Sequence, residues 1–338
     1  MLYISDFYKE NKEAVSNQIR ILQEKNNGYL LAASVFLDQR ILHPDDLSKN
    51  KIILTESSYE SSLSALIPAF DLGIHYFEEE PNPKRVKLFN SSTSPLFISM
   101  YRRPDKTYCE HLLQYKNLKK VFVELESHQK IMIENQIPQE KIIICPTPSL
   151  FDVSQKVEKK FNPNNINLLF GSWNGGDMQS LTERGLIYLL KLLQKNKTTK
   201  LHILARDNNT ELFLQIAKET EVSSQIQIYY NIENKKDLKK VFDKIDIVVF
   251  CMPKKVTKDV PNSIIDGIIL GKTCIITDKV DFAQIVKEKK LGVVINNFED
   301  PIDLNLEFGE KYYEYQKNCN QVASLYTAEN YCKIVYHY

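Results

Sequence analysis

The feature that most constrains the fold is a series of short apolar runs between residues 245 and 296, separated by segments with helical periodicity. The runs at 247–251, 274–276 and 293–295 are rich in β-branched residues and predict three strands. Strands that alternate with helices predict a parallel sheet, in which ligands lie beyond the carboxyl ends of the strands. A helix that begins at that edge points unpaired N–H groups at anions. The sequence therefore predicts a phosphate-bearing ligand at the loop before Ser263.

Chain length, charge and cysteine usage narrow the class of protein. A chain of 338 residues is long for a single hydrophobic core, so we expect two domains. The net charge of +1 argues against a general nucleic-acid binder. Because no apolar run is long enough to span a bilayer and the first residues do not resemble a secretion signal, we expect a cytoplasmic protein. The six cysteines form no Cys-x-x-Cys pair and are expected to be buried thiols, neither zinc ligands nor disulfides.

The alternation of strands and helices continues through the rest of the chain and divides it into two α/β halves. In the first half, strands are predicted at 2–4, 29–36, 52–54, 86–89, 96–98, 121–123 and 142–144. In the second half, further strands are predicted at 167–170, 201–204 and 226–230. The predicted division is an N-terminal Rossmann-like domain at 1–154, a polar linker at 155–165, a C-terminal Rossmann-like domain at 166–320 and a C-terminal helix at 321–338 that packs back on the first domain. Two such domains leave a cleft between their sheets, which is a common place for a ligand.

The most specific motif lies in the second half. Pro-Asn-Ser-Ile-Ile-Asp-Gly at 261–267, followed by Gly-Lys-Thr-Cys-Ile-Ile-Thr-Asp at 271–278, resembles the nucleotide-sugar-binding segment of the retaining glycosyltransferases of family four. Gly171 resembles the glycine after the first strand of that family's second domain, and Arg184 resembles the basic residue that opens its first helix. The resemblance covers most of residues 120–300 in order and is strong only at 261–278.

The resemblance implies an α/β fold of two Rossmann-like domains facing a cleft, which is the GT-B architecture. It assigns the acceptor side to the first domain and the donor side to the second. It also implies that Pro261, Asn262 and Ser263 contact the nucleotide, and that Asp266 accepts hydrogen bonds from the ribose hydroxyls.

The chemistry of these residues supports the same site, and each has a simpler alternative. Asn262 or Ser263 is expected to cap the helix and aim its amides at a diphosphate, although Pro-Asn-Ser is also an ordinary helix start. Asp266 also has the spacing of a capping box with Ser263, so its role stays open. Arg184 and Arg206 are candidates for the diphosphate, because Arg206 follows a strand on the ligand side of the sheet; each is also compatible with a plain surface arginine.

Three departures from the family pattern bear on the function. Lys258 stands where the family has the first of two glutamates, and Asp266 is shorter than the second. No histidine follows the predicted strand at 86–89; His75 and His111 lie nearest, and we assign no catalytic base. Because the sequence has no convincing Asp-x-Asp pair, we predict no metal site, and no cofactor apart from the nucleotide sugar as co-substrate.

The leading interpretation is a metal-independent glycosyltransferase, of the hexosyltransferase kind, that moves a sugar from a nucleotide-sugar donor to a glycan, lipid-linked or protein acceptor with retention. A lipid-linked acceptor would require peripheral contact with a membrane. Two alternatives stay open. The changes at Lys258 and Asp266 also fit a catalytically silent GT-B subunit that binds a protein partner in a glycosylation complex. The same architecture also serves nucleotide-sugar epimerases.

Overall fold

The apolar runs of the sequence form two separate parallel sheets. In the computed structural model, the described residues are 1–8, 14–33, 50–78, 80–156, 159–206, 208–232, 234–256 and 258–337. They divide into two compact units, Met1–Thr147 together with Ala328–Tyr338, and Pro148–Thr327. The division after Thr147 precedes the predicted linker at 155–165.

The first unit contains a seven-stranded sheet with helices on its faces. Its strands are β1 (Leu2–Ser5), β2 (Tyr29–Ala33), β3 (Lys51–Leu54), β4 (Ile74–Glu78), β5 (Leu96–Met100), β6 (Leu118–Val123) and β7 (Ile142–Ile144). Its helices are α1 (Ala14–Asn26), α2 (Glu56–Leu66), α3 (Pro83–Phe89), α4 (Lys106–Leu112) and α5 (Glu126–Glu134). The strand order is β3-β2-β1-β4-β5-β6-β7. Because successive side chains in a strand alternate between faces, Ile4 and Ile74 enter one core and Tyr3 and Phe77 enter the other.

One predicted strand of the first unit is a helix. Residues 86–89 belong to α3, whose first residue is Pro83. The Asn82 side chain caps this helix by accepting a hydrogen bond from the Lys84 N–H at 3.1 Å. Asparagine followed by proline is a strong helix start, and it outweighs the apolar character of the residues that follow. The strand that the sheet needs at this point is β4, within a stretch that the sequence pattern had left irregular.

The second unit contains a six-stranded parallel sheet. Its strands are β8 (Asn167–Trp173), β9 (Lys200–Ala205), β10 (Ile226–Tyr230), β11 (Ile247–Phe250), β12 (Thr273–Thr277) and β13 (Gly292–Ile295). Its helices are α6 (Met178–Glu183), α7 (Leu186–Lys195), α8 (Glu211–Glu219), α9 (Lys235–Phe242), α10 (Asn262–Ile269), α11 (Phe282–Glu288), α12 (Leu304–Phe308) and α13 (Tyr312–Val322). The strand order is β10-β9-β8-β11-β12-β13. The first strand of this unit along the chain, β8, therefore lies inside the sheet, as β1 does in the first unit.

Short 3₁₀ turns connect several of these elements. They lie at Ile67–Ala69, Gln139–Lys141, Val153–Gln155, Ser223–Gln225 and Ala323–Tyr326.

The last helix, α14 (Ala328–Tyr336), belongs to the first unit. It packs on α1, where the Tyr331 hydroxyl donates a hydrogen bond to Gln18 Oε1 at 3.4 Å. Within the described part of the chain, no helix is both long and apolar enough to cross a membrane.

The cysteines behave as the sequence predicts. All six are buried and none forms a disulfide: Cys109, Cys145, Cys251, Cys274, Cys319 and Cys332. Burial raises the pKa of the Cys109 thiol to about 11 and that of Cys274 to about 12, so both stay protonated at neutral pH.

Candidate functional site

The candidate site lies where the strand order of the second sheet reverses. From β8, the next two strands along the chain, β9 and β10, lie on one side, and β11 lies on the other side of β8. The loops that leave β8 and β11 therefore run in opposite directions and open a crevice at their carboxyl ends. All the residues that the sequence predicts for the site belong to this unit.

Gly171 brings the end of β8 against the start of α10. The first strand extends to Trp173, so Gly171 lies inside it and does not follow it as predicted. A Cβ atom on Gly171 would lie 2.7 Å from both Cβ and Oγ of Ser263. Only glycine permits this approach, because real Cβ contacts do not come so close.

The start of α10 is uncapped by any side chain. The prediction that Asn262 or Ser263 caps the helix is wrong, because Pro261 is the N-cap residue and no side-chain cap hydrogen bond is formed. The first N–H groups of a helix have no partner within the helix, and proline offers no side-chain acceptor for them. In addition, the buried Asn262 Oδ1 has no hydrogen-bond partner among the described residues. The start of α10 thus presents both donors and an acceptor to a ligand.

Two arginines stand near this edge. Arg206 follows β9, and its N–H donates to the Trp173 carbonyl oxygen at 2.7 Å, which places it beside the end of β8. Partial loss of water and then the positive charge of Arg206 lower the pKa of Arg184. Both residues are exposed at the surface. Two guanidinium groups close enough to repel each other form a region of positive potential that favours an anion.

Gly185 fixes the position of Arg184. Its φ of 77° lies in the left-handed region, and a Cβ atom there would lie 1.8 Å from the Cys251 carbonyl oxygen. Cys251 directly follows β11. The turn between α6 and α7 is therefore held against the carboxyl end of β11, and Arg184 with it.

Asp266 is engaged within its own unit. It is 6% exposed, and its Oδ1 accepts a hydrogen bond from the Ser149 hydroxyl at 2.6 Å and another from the Leu150 N–H at 2.9 Å. Burial raises the pKa of Asp266 to about 6, against the opposing effects of these hydrogen bonds and of the charges on Lys235 and Lys258. The capping-box interpretation is wrong, since Ser263 is not the N-cap residue. The ribose role of Asp266 stays a prediction.

Sequence reasoning missed the partners of this carboxylate. Ser149 lies 117 positions from Asp266 in the chain, and no local signal connects the two. The Gly-Lys-Thr part of the motif lies at the opposite edge of the sheet from the candidate site, because Lys272 is buried just before β12, at the amino edge.

The two histidines nearest in sequence to 86–89 are both buried. His75 is fully buried, its Nε2 lies 2.8 Å from Ser99 Oγ, and burial lowers its pKa to about 3. His111 is also buried, with its Nε2 2.9 Å from Glu78 Oε1. Both side chains are therefore engaged within the first unit.

The comparisons with known proteins bear on the fold. No protein-family model matches the chain, and no curated protein matches it. Among solved structures, Anabaena HepE in complex with UDP has a TM-score of 0.72 at 10% sequence identity, covering 100% of this chain and 99% of that chain. A glycosyltransferase from Rickettsia africae has a TM-score of 0.72 at 11% identity, covering 99% and 97%. WaaG, a glycosyltransferase involved in lipopolysaccharide biosynthesis, has a TM-score of 0.66 at 11% identity, covering 99% and 98%. With its two parallel sheets matched over nearly their whole length, the chain has the fold of the GT-B glycosyltransferases.

Proposed function

We propose that this chain is a glycosyltransferase that takes a sugar from a nucleotide-sugar donor and transfers it, with retention, to a glycan, lipid-linked or protein acceptor. The observation that carries the proposal is the crevice at the carboxyl ends of β8 and β11. There, a contact that only glycine allows places an uncapped helix start beside β8, and two like-charged arginines stand near the same edge. HepE, which shares the fold, has been solved with UDP and with UDP-glucose.

The residues at this edge suit a diphosphate. The N–H groups at the start of α10 are fixed donors for phosphate oxygens, and the exposed Arg184 guanidinium is a further donor. Gly171 leaves room for the backbone of α10 to approach. The further residues assigned to donor binding are Arg206, Pro261, Asn262, Ser263 and Asp266. Of these, Asn262 offers an acceptor atom without a partner among the described residues, which suits a hydroxyl of the donor and not a phosphate oxygen.

These donors would also assist the chemical step. When the bond between sugar and diphosphate breaks, negative charge grows on the leaving phosphate, and donors that are already oriented stabilise it without rearrangement. In a retaining transfer, the leaving phosphate can take the proton of the acceptor hydroxyl if both are held in place. Such a reaction requires no protein base and no metal ion. This suits a first unit in which His75 and His111 are buried.

A turnover assay tests the proposal. The purified chain is incubated with a panel of UDP-, GDP-, ADP- and CDP-sugars, with and without monosaccharide acceptors and with and without EDTA. Donor binding is measured by calorimetry, and release of nucleotide and the anomeric configuration of the product are followed by NMR. We expect release from one class of donor, unaffected by EDTA. Binding to no donor would sink the proposal. A changed sugar without acceptor would indicate an epimerase, and turnover only in a complex with another protein would indicate a silent subunit.

A further inference from the structure

Ser149 lies at the point where the chain passes between the two units. The chain enters the second unit at Pro148 and leaves it after Thr327, and we call these two crossing points of the chain the passages. The Ser149 N–H donates a hydrogen bond to the Tyr326 carbonyl oxygen at 2.8 Å. The two passages of the chain, which are far apart in sequence, are thus joined by a backbone hydrogen bond inside the second unit.

The same serine is bonded to the helix of the candidate site. Its hydroxyl donates to Asp266 Oδ1 at 2.6 Å and accepts a hydrogen bond from the Phe151 N–H at 2.9 Å. The Leu150 N–H donates to the same carboxylate oxygen at 2.9 Å. Asp266 lies about one helical turn after Ser263, the residue that meets Gly171. A short chain of bonded groups therefore connects the start of α10 with both passages.

We propose that Ser149 and Asp266 are positioning residues that transmit nucleotide binding at the start of α10 to the two passages of the chain. The proposal rests on the proposed function, since it requires a nucleotide at this helix. We call the pair, with the Leu150 N–H and the Tyr326 carbonyl, the crossover anchor.

The chemistry of the anchor favours a role beyond packing. Burying a carboxylate is costly, and an apolar pair of the same volume often holds a loop at least as well. A carboxylate that receives two donors instead fixes their direction, because charge-assisted hydrogen bonds are short and strong. A shift of α10 on binding a diphosphate would therefore move Ser149, and through its N–H the segment at Tyr326.

Hydrogen–deuterium exchange tests the anchor. Binding of UDP, GDP, ADP and CDP is first measured by calorimetry, and exchange is then followed with the nucleotide that binds, in peptides covering 146–152 and 323–330. In the wild type we expect the nucleotide to slow exchange in both segments roughly fivefold or more, the lower end of usual coupling between sites. Ser149→Ala should still bind the nucleotide but lose the slowing at 323–330, and Ser149→Thr should restore it.

The matched control is Ser154→Ala. Ser154 lies five residues further along, and its hydroxyl also donates to a carboxylate, Asp152 Oδ1, at 2.8 Å, but on the surface and without a bond to α10 in the structure. This variant should respond to the nucleotide as the wild type does. If Ser149→Ala and Ser154→Ala show the same slowing, or if a nucleotide binds without slowing exchange at 323–330 in the wild type, the anchor is refuted. If no nucleotide binds, the proposed function fails and the anchor fails with it.

Discussion

The carboxyl edges of the two sheets have the same strand topology but differ in whether their polar groups are bonded to each other. In both sheets, the first strand along the chain lies inside the sheet, and the strand order reverses beside it. The reversal lies between β1 and β4 in the first sheet and between β8 and β11 in the second. The edge of the first sheet carries side chains that bind each other. The edge of the second carries glycine, an uncapped helix start and like-charged arginines.

Asp6, which follows β1, lies at the centre of the first edge. It accepts hydrogen bonds from the Tyr59 hydroxyl at 2.7 Å, the Tyr76 hydroxyl at 2.6 Å and Arg85 Nε at 2.9 Å. Arg85 is 2% exposed and also forms an ion pair with Glu60. Each group at this point already has a partner within the unit.

Glu78, the last residue of β4, completes the same pattern. It is fully buried and accepts hydrogen bonds from the Tyr108 hydroxyl at 2.6 Å and the Tyr115 hydroxyl at 2.9 Å, beside His111. Buried polar groups that are fully bonded hold a structure together and offer little to a ligand. Topology thus marks two places for a ligand in this chain. The side chains at the first are bonded to each other, and for this reason we place the proposed nucleotide site at the second.

The largest expected effect is the loss of stability when Arg85, at the edge of the first sheet, is replaced. Arg85→Met leaves Asp6 and Glu60 without their cation, which should lower the free energy of unfolding of the first unit by about 3 kcal/mol. Nucleotide affinity should not change in the folded protein. Urea unfolding and calorimetry measure the two quantities. As a control, Arg20→Ala removes a helical pair with Glu24 at 3.4 Å and should cost at most about 0.5 kcal/mol. A loss of nucleotide affinity in Arg85→Met would break the comparison.

The second prediction concerns the pH dependence of Asp266. Its pKa rises from the ordinary aspartate value of 3.8 to about 6 in the folded chain, so its stabilising contribution is present below about pH 4 and is lost as the pH rises through 6. Asp266→Asn cannot titrate. Between pH 4 and pH 8, the stability of this variant relative to the wild type should therefore rise by about 2 to 3 kcal/mol. Parallel curves of unfolding free energy against pH would contradict the burial of an ionisable carboxylate at this position.

The smallest expected effect concerns Arg184. Arg184→Ala should weaken nucleotide binding about tenfold, or roughly 1.4 kcal/mol, because it removes an exposed cation from the proposed phosphate site. The melting temperature should not fall, because the like charge of Arg206 acts on this guanidinium more strongly than the opposite charge of Glu183. Calorimetric titration and thermal unfolding measure both. Lys191→Ala is the matched control: this lysine is a partly exposed cation of α7 paired with Glu299 at 3.1 Å, and its loss should leave affinity unchanged. Equal losses in both variants would show a nonspecific charge effect.

The fold could be predicted from the sequence wherever strands are buried on both faces. The apolar runs at 247–250 and 274–276 correspond to the observed strands β11 and β12, because no other element of that length buries so continuous a run. The pattern failed at 86–89, where the Asn82 cap and Pro83 decide in favour of a helix.

The candidate site could be predicted only in its local part. The helix start after Pro261 and the arginine before Gly185 are visible in the sequence. The contact of Gly171 with Ser263 and the bond from Ser149 to Asp266 join residues from distant segments, so only the folded chain shows them. For the same reason, the sequence allowed a capping box at Asp266 that the structure replaces with the bond to Ser149.

A crystal structure of the chain with bound UDP tests the central claim most directly. The account predicts the diphosphate at the carboxyl ends of β8 and β11, within hydrogen-bond distance of the N–H groups at the start of α10 and of the Arg184 guanidinium. Density for UDP at the edge of the first sheet, beside Asp6 and Glu78, would contradict the account, as would UDP bound with its diphosphate away from α10.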